Sequence, residues 1–105
     1  MRKDDPMLHI LRHSPYHESR FASCLRAISS GQSLILMEDA VYGLLPGTSS
    51  RNALEYLPGT VGLYALDVDL TARGVALDDL PPQVRIINYP MMVELCLEHT
   101  KAVSW

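Results

Sequence analysis

The chain has no long apolar run. The nearest to one, MLHILRH at residues 7–13, is stopped by Ser14-Pro15 and preceded by the charged MRKDDP, so it reads as neither a secretory signal nor a membrane span. Basic residues are also few. Nine Lys and Arg against twelve Asp and Glu leave a net charge of -3, with no cluster that could neutralise several phosphates at once, which argues against direct nucleic-acid binding. Cysteine is limited to Cys24 and Cys96, expected on different helices and, in a reducing cytoplasm, expected as free thiols. GxSxG, GxGxxG and phosphate-binding loop patterns are missing, and the PGT triplet shared by LLPGTSS and YLPGTVG is ordinary turn chemistry. His9, His13 and His17 do not form a metal set, because Ser14-Pro15 breaks any helix through them and strand alternation aligns only the first two. No metal and no cofactor are expected.

What is present alternates. A length of 105 residues suits one domain. Residues 1–6 read as a disordered extension and residues 7–105 as the folded unit. MLHILRH predicts a strand, HESRFASCLRAISSG a helix closed by Gly31, and SLILMEDAVYGLL a strand buried on both faces that turns acidic at Glu38 and Asp39. Asn52–Leu57 offers one or two helical turns, VGLYALD a strand, DVDLTARG a short helix stopped at Gly74, and VRIINY another strand. Pro90 opens a last helix, MMVELCLEH, and KAVSW either pairs at an edge or packs. This order predicts an α/β domain, a mostly parallel sheet of four or five strands with helices on both faces.

In the first helix Phe21, Leu25 and Ile28 form the apolar stripe and Cys24 lies on its flank, one turn after Arg20. A half-solvated thiol beside a guanidinium favours the thiolate, with His17 as a second tuning group; the competing reading is an inert packing thiol. The helix start decides how far the dipole helps: after Ser14 the thiol lies in the third turn, after Ser19 in the second. Asp39, at a strand exit, reads as a solvated carboxylate.

The last helix spreads Met91, Met92, Val93, Leu95, Cys96 and Leu97 over most of its circumference, leaving Glu94 and Glu98 as a narrow polar strip. One core cannot cover that much. Met91, Met92 and Leu95 are therefore expected at an interface with another subunit, and Cys96 is read as packing.

MLHILRHSP, FASCLRAISSGQSLILMEDAVYGL, LYALDVDLTARG and INYPMMVELCLEHTKAVSW, with the terminal Trp105, together resemble the DsrH/TusB family of sulfur-relay subunits over Met7 to Trp105. The resemblance implies a hetero-oligomer, a heterohexamer, with DsrE/TusD-like and DsrF/TusC-like partners, in which persulfide sulfur passes between cysteines. It ends as 2-thiouridine at the tRNA wobble position in one branch and serves dissimilatory sulfur oxidation in the other. The family cysteine stands in a segment similar to ASCLR, so the resemblance gives Cys24 the role of persulfide carrier. Some members lack that cysteine, and Ala40 stands where a glycine is common, which leaves a non-catalytic scaffold as the alternative.

Overall fold

The computed structural model describes residues 7–16 and 19–105. The extension expected at residues 1–6 lies outside them. Five strands, β1 (Met7–Leu11), β2 (Ser33–Leu36), β3 (Gly62–Leu66), β4 (Val84–Ile87) and β5 (Lys101–Ser104), form one sheet in the order β4-β3-β2-β1-β5. Every pairing is parallel. The helices are α1 (Arg20–Ala27), α2 (Ser49–Glu55), α3 (Asp67–Ala72) and α4 (Tyr89–Glu98), with a 3-10 helix over Glu38–Leu44. The α/β reading of the sequence therefore holds, including the edge-strand option for KAVSW.

The two faces are covered unequally. On one, α1, the 3-10 helix, α2 and α3 close the larger core around Leu34, Leu36, Leu63 and Ala65. On the other, Leu8, Ile35, Leu66 and Ile87 from four strands form a smaller cluster, met by Met92, Leu95 and Cys96 of α4. Topology explains the difference. Each step from β1 to β4 moves to the next strand, whereas α4 must return from one sheet edge to the other. Ten residues span about 15 Å, close to the ~19 Å of four strand spacings, so one helix crosses the whole face. None of its residues is fully buried.

Central β2, SLIL, is buried along its length, as a strand covered on both sides requires. It ends sooner than its apolar run suggests. Glu38 takes a left-handed φ of 51°, the chain turns into the 3-10 helix, and Ala40, Val41 and Leu44 re-enter the larger core. Gly43 lets that helix approach α1 closely, since a Cβ there would stand 2.5 Å from the Phe21 ring. The left-handed conformation costs a non-glycine residue about 1–2 kcal/mol, and glycine gives back about 0.4–1 kcal/mol in unfolded-state entropy. Glu38→Gly is therefore expected to raise stability by roughly 0.5–1 kcal/mol in chemical denaturation. A loss of stability would show that the glutamate side chain contributes more than its strain.

Candidate functional site

α1 begins just after Ser19, which makes no side-chain capping bond. Ser14 instead accepts from the Tyr16 N–H at 3.1 Å inside the preceding turn. Of the two starts the sequence allows, the structure takes the second, and Cys24 lies in the second helical turn. The expected rim position is corrected. Cys24 has no solvent exposure and sits in the larger core with Phe21 and Ile28, because the helix is turned so that Phe21, Cys24 and Ile28 face the sheet and Leu25, half-buried, takes the flank. Burial pushes the thiol up to about 12.

The expected Arg20 contact is corrected too. Its guanidinium donates to His13 Nε2 at 2.8 Å, out over the loop that follows β1. An arginine can only donate, so His13 Nε2 accepts. The sequence places Arg20 within reach of both residues, and the solvated imidazole attracts it where the sealed thiol does not. His17, the other tuning candidate, lies outside the described residues. Cys24 and Arg20 do not form an open reactive centre. Neither does any group of three or more His, Cys, Asp or Glu among the described residues converge on a metal-sized site.

At the carboxyl ends of β2 and β3 the structure brings together residues that the sequence did not single out as a group. Asp69, nearly buried in α3, accepts the Glu38 N–H at 2.7 Å through Oδ2 and meets Arg73 Nη1 at 3.3 Å through Oδ1. Arg73 Nε donates to Asp39 at 2.9 Å. That hydrogen bond leads the causes that raise the guanidinium's already high affinity for its proton. The cluster is internally matched: the strained Glu38 N–H and the Arg73 cation occupy the Asp69 carboxylate, and Asp39 is tied to the same cation. It fixes the turn out of β2. The DVD of α3 was the available signal, but a carboxylate three residues into a short helix does not reveal which amide it accepts.

The expected interface divides. Met92 and Leu95 are half-buried against the smaller cluster on the second face, which takes up part of the surface expected to meet a partner, and Met91 is exposed. The outward apolar stripe is Tyr89, Val93 and Leu97, at 47%, 52% and 81% exposure, spaced four residues apart on one side of α4. Glu94 and Glu98 border it. The i, i+4 spacing was legible; which side faced the sheet was not, because α4 is apolar nearly all round. Cys96 is half-buried against the sheet. Among the described residues no helix is long and apolar enough to cross a membrane.

Residues 13–102 match the family described as DsrH like protein. The chain is 35% identical over 99 residues to Protein TusB of Pectobacterium parmentieri, covering 94% of this chain and all of the relative. It is 33% identical, with the same coverage, to Protein TusB of Escherichia coli K12. Among solved structures, the YchN protein of Escherichia coli superposes with a TM-score of 0.84 at 20% identity, over 96% of this chain and 99% of that one. A protein of unknown function from Methanobacterium thermoautotrophicum superposes at 0.71 and 18% identity, over 96% and 98%. These two likenesses show the fold.

Proposed function

Since the chain belongs to the DsrH/TusB family of sulfur-relay subunits, we propose that it serves the relay as a structural subunit, holding sulfur-carrying partners together through the outer stripe of α4. The sealing of Cys24 carries this reading. Persulfide exchange needs a thiolate that another protein's thiol can touch, and a thiol with no exposure and a value near 12 offers neither. The partners are DsrE/TusD-like and DsrF/TusC-like subunits, and the principal sulfur acceptor belongs to the first. The relatives named TusB favour the branch in which sulfur reaches the tRNA wobble uridine as 2-thiouridine over the branch of dissimilatory sulfur oxidation. A net charge of -3 suits a subunit that meets protein rather than tRNA phosphate.

The carrier role that the resemblance gives Cys24 requires α1 to lift from the sheet within the complex. One experiment separates the two. Cys24→Ser in cells is expected to leave 2-thiouridine at wild-type levels in hydrolysed tRNA. Loss of the modified base, with the complex still assembled, would make Cys24 the carrier and overturn the structural reading.

A further inference from the structure

The last strand is held by a hydrogen-bond chain whose polarity is fixed at every link. The Ser29 N–H can only donate, so the Gln32 atom 3.0 Å away is the amide oxygen. That oxygen also lies 2.8 Å from His9 Nε2, which must therefore carry a proton. The Trp105 indole N–H, likewise only a donor, lies 3.1 Å from His9 Nδ1, which must keep its lone pair. His9 is 2% exposed and its ring lies nearly parallel to the indole, centroids 6.2 Å apart. Both ring nitrogens are thus used as the neutral imidazole uses them. β5 has little else beyond its ladder to β1. Lys101, Ala102 and Ser104 are exposed, Val103 and Trp105 are half-buried, and the Trp105 N–H extends the ladder to Ile10 O at 2.8 Å.

We infer that His9 is a proton-operated latch on the C-terminal strand: a proton on Nδ1 turns the acceptor of the Trp105 indole N–H into a second donor, and β5 with Trp105 detaches from β1 while the remaining four strands stay paired. Trp105 packs against the core that contains Cys24, so its release uncovers one edge of that core.

The imidazole of His99, on the α4 face of the sheet, is built differently. His99 Nδ1 donates to Leu95 O at 2.6 Å and its Nε2 meets the Ser33 hydroxyl at 3.2 Å. A hydroxyl can donate or accept, so a second proton costs His99 neither contact. The groups around His9 are few. β2 has no titratable side chain, α1 brings the neutral Cys24, β1 continues to His13, and β5 carries Lys101; His99 lies on the opposite face of the sheet, against Ser33.

The test follows the 15N-labelled full chain by NMR from about pH 8 to about pH 5, the range in which imidazoles change charge. It reads the His9 ring, the indole N–H and the exchange of the Trp105 amide, corrected for intrinsic exchange rates. The expected result is that Trp105 amide protection falls as pH falls, by up to about tenfold per pH unit, until His9 in the folded chain takes its proton and protection is lost, with a shift of the indole signal over the same range and no change in β2 or β3. Trp105→Phe, which keeps a ring and loses the N–H, is expected to show reduced protection of its residue 105 amide already at pH 8 and no step. His9→Gln, an acceptor that does not titrate, is expected to hold the strand at both ends of the range. The latch is overturned if His9 gains its proton while the Trp105 amide stays protected, if the whole sheet opens before His9 titrates, or if His9→Gln retains the step.

Discussion

Leu97→Glu is expected to separate this subunit from its complex while leaving the subunit folded. The side chain is 81% exposed and touches neither core, so the isolated protein should lose no more than about 0.5 kcal/mol, within the usual range for surface changes. In an interface the same position lies at the end of the Tyr89, Val93 and Leu97 stripe, where a glutamate would bury a charge beside Glu94 and Glu98. Losing one such anchor typically costs about 2 kcal/mol or more, roughly a thirtyfold weaker complex. Co-purification of tagged partners reads the assembly and circular dichroism reads the fold. Wild-type recovery of the partners with Leu97→Glu would move the interface off α4. Met92→Glu is a poorer probe, because Met92 faces the subunit's own sheet and would report unfolding instead.

Asp69→Ala is expected to unfold the protein at markedly lower temperature. The carboxylate accepts the N–H of Glu38, whose backbone is already strained, and neutralises Arg73 at a largely enclosed point. Removing it leaves that amide and that cation short of a partner, and hydrogen bonds to charged groups are worth about 1.5–3 kcal/mol each. A total near 3 kcal/mol corresponds to a drop of roughly 15 °C for a domain of this size. Asp69→Asn, which retains an acceptor for Glu38, should lose about half as much. Equal losses for the two variants would mean that the ion pair with Arg73, and not the amide bond, holds the turn.

Both predictions concern places where sequence and structure part company. Short apolar runs bounded by turn residues were sufficient for the sheet: MLHIL, SLIL and GLYAL each occur where a parallel strand needs them, and Gly74, at φ 69°, stops α3 as expected. They were not sufficient for the turn after β2. The residues MEDAV continue an apolar-acidic pattern that fits either a strand exit or a helix start, and the deciding contact comes from Asp69, 31 positions away. Cys24 shows the same limit. A helical wheel places it at the edge of a stripe, but how much of that edge is covered depends on how the helix lies on the sheet and on the 3-10 helix pressed against Phe21. Arg20 was within reach of two partners, and only the burial of one decided between them. In α4 the reverse held: too many apolar residues gave no direction, so the inward pair Met92 and Leu95 and the outward pair Val93 and Leu97 could not be told apart.

The most direct measurement of the central claim is the native-state alkylation rate of each cysteine, read by peptide mass spectrometry on the subunit in its complex. A thiol near 12 is about 10⁻⁵ thiolate at neutral pH, some three orders of magnitude below an ordinary cysteine, before its lack of exposure is counted. Cys24 should therefore stay unmodified on the timescale in which denatured protein is fully labelled. Labelling of Cys24 in the folded complex at a rate near that of the denatured chain would mean that α1 opens to admit a second sulfur, and this subunit would then be a carrier.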